Sequence, residues 1–134
     1  MVKGYSKAIS NIMINISPEL REIIEKNALA LATTTIHGNP HCIAVGSVKV
    51  ISKNQILIGN CFMVKTTENI KSNDEVSLCV WNRNWEENCV GYELIGKAEY
   101  FNKGPYLEKV KEIHAGFDVK GALLVTISKI IKLS

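Results

Sequence analysis

The sequence is poor in arginine: only Arg21 and Arg83 stand among its sixteen basic residues, and the other fourteen are lysines scattered singly along 134 positions. No basic run marks a nucleic-acid face, and a net charge of +3 gives little field for a polyanion. Aromatics are few, with two tryptophans, four tyrosines and three phenylalanines. That argues against a small barrel that stacks single-stranded nucleic acid on its rings. No apolar run approaches the ~18 residues of a membrane span. Residues 1–16 carry Lys3 and Lys7 ahead of several isoleucines, as a signal peptide does, but Ser10, Asn11 and Asn15 interrupt them and no small-x-small cleavage site follows. They are expected to form an N-terminal arm on a cytoplasmic protein with no membrane partner.

Paired cysteines are also missing. Cys42, Cys61, Cys79 and Cys89 are never closer than ten positions, which excludes the short spacing of zinc sites and redox dithiols. Four reduced thiols, mostly half-buried on strands, are expected. His37, His41 and His114 form no metal-ligand pattern, so no metal is expected; His37 and His41 flank a turn and are expected at the surface. No Gly-x-Gly-x-x-Gly or Walker motif supports a dinucleotide or P-loop fold.

What is present is a chain of 46% apolar and 22% charged residues, long enough for one domain, 1–134, with its own core. Ser17-Pro18-Glu19 starts a helix: a capping hydroxyl, proline at the first helical position and an acid in the first turn. Leu20, Ile23 and Ile24 give it one apolar stripe, and it ends near Asn27. Strands follow at 28–35, 42–51 and 55–60, joined by the turns His37-Gly38-Asn39-Pro40 and Ser52-Lys53-Asn54. A helix over 65–72 leads to a strand at 75–81, and a polar excursion spans 82–88. In the next strand Tyr92, Leu94, Ala98 and Tyr100 alternate with Glu93, Lys97 and Glu99. A third helix, 105–114, places Tyr106, Val110 and Ile113 on one side, and a last strand covers 122–131. The class is mainly β: six antiparallel strands with short helices plugging the gaps of a closed barrel.

The segment Gly59-Asn60-Cys61-Phe62-Met63-Val64-Lys65-Thr66-Thr67-Glu68-Asn69 runs from a strand end into a helix start. Unpaired N–H groups and the positive end of the helix dipole make such a junction an anion site. Lys65 adds a charge, and Thr66 and Thr67 add hydroxyl donors, the set a phosphate monoester needs. Local chemistry leaves a second reading open, in which Thr66 caps the helix and Lys65 is solvated.

Residues 62–70, followed by Asn73-Asp74-Glu75-Val76-Ser77-Leu78, resemble the Lys-Thr-x-x-Asn block of the pyridoxamine-phosphate-oxidase-like flavoproteins. Upstream, Ala32-Thr33-Thr34-Thr35-Ile36-His37-Gly38-Asn39-Pro40-His41 is similar to that family's strand, glycine turn and returning strand; downstream, residues 91–99 resemble its glycine-bracketed strand. The likeness covers residues 18–131. It implies a homodimeric FMN-binding split barrel with FMN where two subunits meet. Carried over, Lys65 and Thr66 hold the phosphate, and backbone groups of Ala44, Val45, Gly46, Ser47, Ile58, Gly59 and Asn60 line the ring and ribityl chain. Asn69 either joins the phosphate site or fixes the helix to the barrel. Gly46 and Gly59 let a flat ring approach closely or mark bulges. Trp81 and Trp85 either cover the flavin from the partner subunit or are plain core or interface aromatics.

The vitamin B6 oxidases of this family carry arginine and histidine near the C-terminus for the substrate phosphate. Here only lysines and His114 follow Arg83, so oxidation of pyridoxamine phosphate is not expected. The resemblance implies an oxidoreductase in which FMN takes hydride from NAD(P)H or electrons from a redox partner. An electron carrier or flavin store without turnover is the alternative, and a deazaflavin or haem in place of FMN is another.

Overall fold

The computed structural model describes residues 14–46, 48–60 and 63–133. Most of the expected N-terminal arm lies outside them. At its end the Ile16 N–H donates to the Lys53 carbonyl at 2.7 Å, and Ile14 and Ile16 pack on the core.

Helix α1, Pro18–Lys26, begins as its sequence dictates: Ser17 Oγ accepts from the Leu20 N–H at 3.1 Å, and Leu20, Ile23 and Ile24 are buried. The strands are β1 Leu29–Thr34, β2 Pro40–Val45, β3 Val48–Ser52, β4 Gln55–Asn60, β5 Glu75–Trp81, β6 Gly91–Phe101 and β7 Gly121–Lys132. Helix α2, Val64–Ser72, separates β4 from β5, and α3, Pro105–Ile113, separates β6 from β7. All pairings are antiparallel, in the order β2-β1-β5-β6-β7-β4-β3.

There are therefore seven strands rather than six, and the sheet has two free edges. The expected single strand over 42–51 is two strands, because its halves pair at opposite ends of the sheet. β2 pairs with β1, Ala44 opposite Ala30, whereas β3 pairs with β4, Val48 opposite Ile58. Val45 and Val48, close in sequence, thus belong to opposite edge strands of the sheet.

Every second residue of β1 and β5 points inward, with Leu29, Leu31, Val76, Leu78 and Val80 buried. β4 is buried on both faces. Ile56 and Ile58 join the barrel core, while Leu57 lies in a second cluster with Leu107, Val110, Ala122 and Leu124 beneath α3. The buried stripe of α3 is thus Leu107 and Val110; Ile113, expected on one side with Tyr106 and Val110, is 40% exposed. The outer edge of β3 is protected by α1, whose Glu25 carboxylate accepts the Val50 N–H at 2.8 Å with Lys49 Nζ at 3.7 Å. An edge N–H held this way is closed to another strand.

Among the described cysteines, Cys42 and Cys89 are exposed, and only Cys79 is half-buried. Burial pushes the Cys79 thiol above its ordinary range, and Glu93 and Cys42 beside it push the same way. Less of it is thiolate near neutrality, and the thiolate is the nucleophile. Iodoacetamide at pH 8 is expected to alkylate Cys89 before Cys79, as read by peptide mass spectrometry; equal rates would contradict this.

Candidate functional site

Where β2 ends, a cleft of about 430 Å³ opens at the seam of the barrel. It is lined by His41, Ile43, Ala44, Val45 and Gly46, by Gly59 of β4, and by Met63, Val64, Lys65 and Thr66 at the start of α2. That volume lies within the range of small-molecule sites.

The helix start facing this cleft has no side-chain cap and no acid in its first turn. Met63 occupies the cap position, and its N–H is taken by Asn60 Oδ1 at 2.8 Å. The N–H groups of the first turn have no carbonyl partner within the helix, and the dipole leaves that end positive. Lys65 is exposed beside it. Thr66 is only 1% exposed, and its Oγ1 has no hydrogen-bond partner. A buried hydroxyl without a partner costs about 1–3 kcal/mol, so one on a residue that lines a cleft is a natural ligand position. Thr66 does not cap the helix, while Lys65 is exposed, as the alternative reading has it.

Among the described residues only one other buried side-chain polar atom lacks a partner, and it lies in the same cleft: His41 Nε2. A larger hollow of about 510 Å³ at the far end of α2, around Lys71, Asp74 and Tyr100, contains neither of these atoms.

Of the ten residues expected to hold a cofactor, Ala44, Val45, Gly46, Gly59, Lys65 and Thr66 meet in this cleft. Ser47 lies outside the described residues. Ile58 is fully buried in the barrel core. Asn60 turns away: its Nδ2 donates to Thr67 Oγ1 at 3.3 Å, and it lines a neighbouring hollow. Thr67, expected as a ligand donor, instead donates to the Met63 carbonyl at 2.7 Å. Asn69 is 3% exposed and donates to Thr33 Oγ1 at 3.0 Å, tying α2 to β1.

His41, expected at the surface, is half-buried with a buried Nε2. The signal for it was present. His41, Ile43 and Val45 share the inward period of β2, which starts at Pro40 rather than Cys42. Val64, 72% exposed, and Met63 also line the cleft. Trp81 and Trp85 lie elsewhere in the subunit, framing an apolar hollow with Cys79, Gly91 and Leu133. Among the described residues no three His, Cys, Asp or Glu side chains gather as a metal site, and no helix is long and apolar enough to cross a membrane.

A family model described as pyridoxamine 5'-phosphate oxidase matches residues 16–129. The uncharacterized protein MJ0282 of Methanocaldococcus jannaschii is 30% identical over 129 residues, 90% of this chain and 83% of that protein. Among solved structures, HupZ of Group A Streptococcus superposes with a TM-score of 0.81 at 22% identity, covering 88% of this chain and 94% of that one. An FMN-binding protein from Syntrophomonas wolfei gives 0.76 at 16% identity, covering 99% and 91%. The fold also carries other cofactors by name. An F420 reductase gives 0.63 at 18% identity over 85% of this chain and 98% of that one. The haem storage protein HutZ of Vibrio cholerae gives 0.62 at 15% over 89% and 96%.

Proposed function

The chain belongs to the pyridoxamine 5'-phosphate oxidase family, and from that premise we propose that it is a cytoplasmic FMN-binding redox protein whose cofactor lies in the cleft at the start of α2, at a homodimer interface. The observation that carries this reading is the Thr66 hydroxyl, buried and unpartnered beside an uncapped helix start. Such a corner suits the terminal phosphate of FMN. Lys65 supplies the charge and Thr66 a directed donor. Backbone groups of Ala44, Val45, Gly46 and Gly59, which line the cleft, would hold the ring. A Cβ built on Gly46 meets nothing within 4 Å, so the wall there is open to a flat ligand. When bound, FMN supplies hydride and electron transfer; the protein binds, orients and shields it.

The test is the purified protein. A yellow preparation that releases FMN on denaturation supports the reading, and failure to bind added FMN at micromolar concentration defeats it. Haem is the second reading, because His41 and Met63 in the cleft are residue types that ligate haem iron. An intense Soret band in place of flavin bands would establish it. Anaerobic mixing with NADH and NADPH then separates a reductase, whose flavin bleaches, from a carrier, whose flavin stays oxidised.

The dimer reading rests on the outer face of β1, β2 and β5. The register sets Ala44, Ala30 and Cys79 in one row of small apolar residues, and Cys42 and Ala32 in the next, which ends on Ser77 hydrogen-bonded to Glu93. The alanine and cysteine side chains are small, apolar and partly exposed, and Ala44 also lines the cleft. A second copy seated on this face would complete the site. Ala32→Glu is expected to give a monomer by light scattering and to weaken FMN binding at least about tenfold, since a charge buried in an apolar interface costs several kcal/mol. A monomeric variant with unchanged FMN affinity would separate the two properties.

A further inference from the structure

The phosphate corner of the cleft has one lysine and no arginine. Arg21 lies beside Glu25 on α1, and Arg83 donates to the Lys26 carbonyl. A dianion held by a single exposed lysine invites a second basic group, and His41 is the other basic residue lining the cleft.

Its position follows from pairing. His41 stands directly opposite Thr33 in the β1–β2 ladder. Both lie on the inward face of their strands, so their Cβ atoms are about 4.5–5.5 Å apart. Thr33 Oγ1 accepts from Asn69 on α2, and Thr66 lies one turn before Asn69, toward the uncapped helix start. Thr33 is thus the ladder partner of His41 and is tied to α2 at Asn69, one turn beyond Thr66. The two unpartnered buried polar atoms of the described residues, His41 Nε2 and Thr66 Oγ1, belong to residues that line the one cleft. Each lacks the partner that a buried polar group ordinarily has, and an anion with several acceptor oxygens satisfies both at once.

We propose that His41 donates from Nε2 to the anion held at the start of α2, as the second basic ligand of the phosphate group. The proposal takes the identity of that anion, the FMN phosphate, from the preceding reading; the anion site itself does not depend on it.

Riboflavin, which has the ring and ribityl chain of FMN but no phosphate, separates the possibilities. FMN and riboflavin are titrated by flavin fluorescence against the wild-type protein, His41→Ala and His41→Gln. The alanine variant is expected to raise the Kd for FMN about tenfold or more and to leave that for riboflavin within about twofold. His41→Gln, which retains an N–H donor, recovers part of the loss. Equal loss for both flavins, or no loss for either, overturns the assignment. A measurement on unaltered protein makes folding of the variants immaterial: inorganic phosphate titrated into the ¹⁵N-histidine-labelled protein is expected to shift the His41 Nε2 resonance, and an unmoved resonance overturns the proposal. If the wild-type protein binds neither flavin yet phosphate moves His41, the FMN reading fails while the anion site stands.

Discussion

Lys65→Ala is expected to lower the affinity for FMN by about 1.5–3 kcal/mol, a 10- to 150-fold rise in Kd, the scale of a charge-assisted hydrogen bond. Lys65 occupies the second position of α2, where its ammonium and the positive helix end address the same anion. It is exposed, so solvent and salt screen it. The loss should therefore fall toward the lower figure and shrink as ionic strength rises from 0.05 to 0.5 M. Lys65→Arg should retain most of the affinity, since a guanidinium meets phosphate at least as well. Lys71, in the last turn of the same helix, is the control: Lys71→Ala removes an equal charge from the wrong end of the dipole. A Lys65→Ala protein that binds FMN as the wild type does, by fluorescence titration, would remove the phosphate site from this corner.

Gly96→Ala is expected to cost at least about 3 kcal/mol of folding stability, seen as a fall in melting temperature of about 10 °C. Gly96 sits where the β6–β7 ladder slips: Ile95 pairs with Lys129 but Gly96 with Ile127, leaving Ser128 as the extra residue of a bulge. A Cβ on Gly96 would run into the Thr126 carbonyl oxygen and lie within 3.1 Å of Ile127 Cα. Both obstacles are backbone, so no side chain can swing aside. The strands would have to part in the longest ladder of the sheet. Gly46→Ala is the instructive contrast. Nothing stands within 4 Å of the added carbon, so stability should stay within about 0.5 kcal/mol, while flavin affinity falls because the methyl group enters the cleft wall. A Gly96→Ala variant that melts with the wild type in a calorimeter would show that the bulge relaxes at no cost.

Much of this architecture was legible beforehand because the signals were local. Ser17 and Pro18 place the start of α1, and Ser17 Oγ makes the bond that its position promises. The bounds Gln55–Asn60 and Glu75–Trp81 agree with the turn residues and alternation around them. The candidate cofactor positions were less evenly legible. Lys65 and Thr66 announce a donor-rich helix start whatever the rest of the chain does. Asn60, Thr67 and Asn69 carry equally suitable groups in the same segment, yet their hydrogen bonds are spent inside the protein, on α2 and β1. No local rule distinguishes a donor that meets a ligand from one that meets Thr33, thirty-six positions away.

The amino-acid sequence alone thus determined where most helices and strands lie, the tight turns between them and the donor-rich helix start at Lys65, since capping, alternation and turn chemistry act within a few residues. Tertiary structure alone decided that Pro40–Val45 and Val48–Ser52 are two strands on opposite edges of the sheet. The physical reason is the range of the interactions. A strand's face and edge are fixed by the partner it pairs with, and the partners of β2 and β3, β1 and β4, have three strands of the sheet between them.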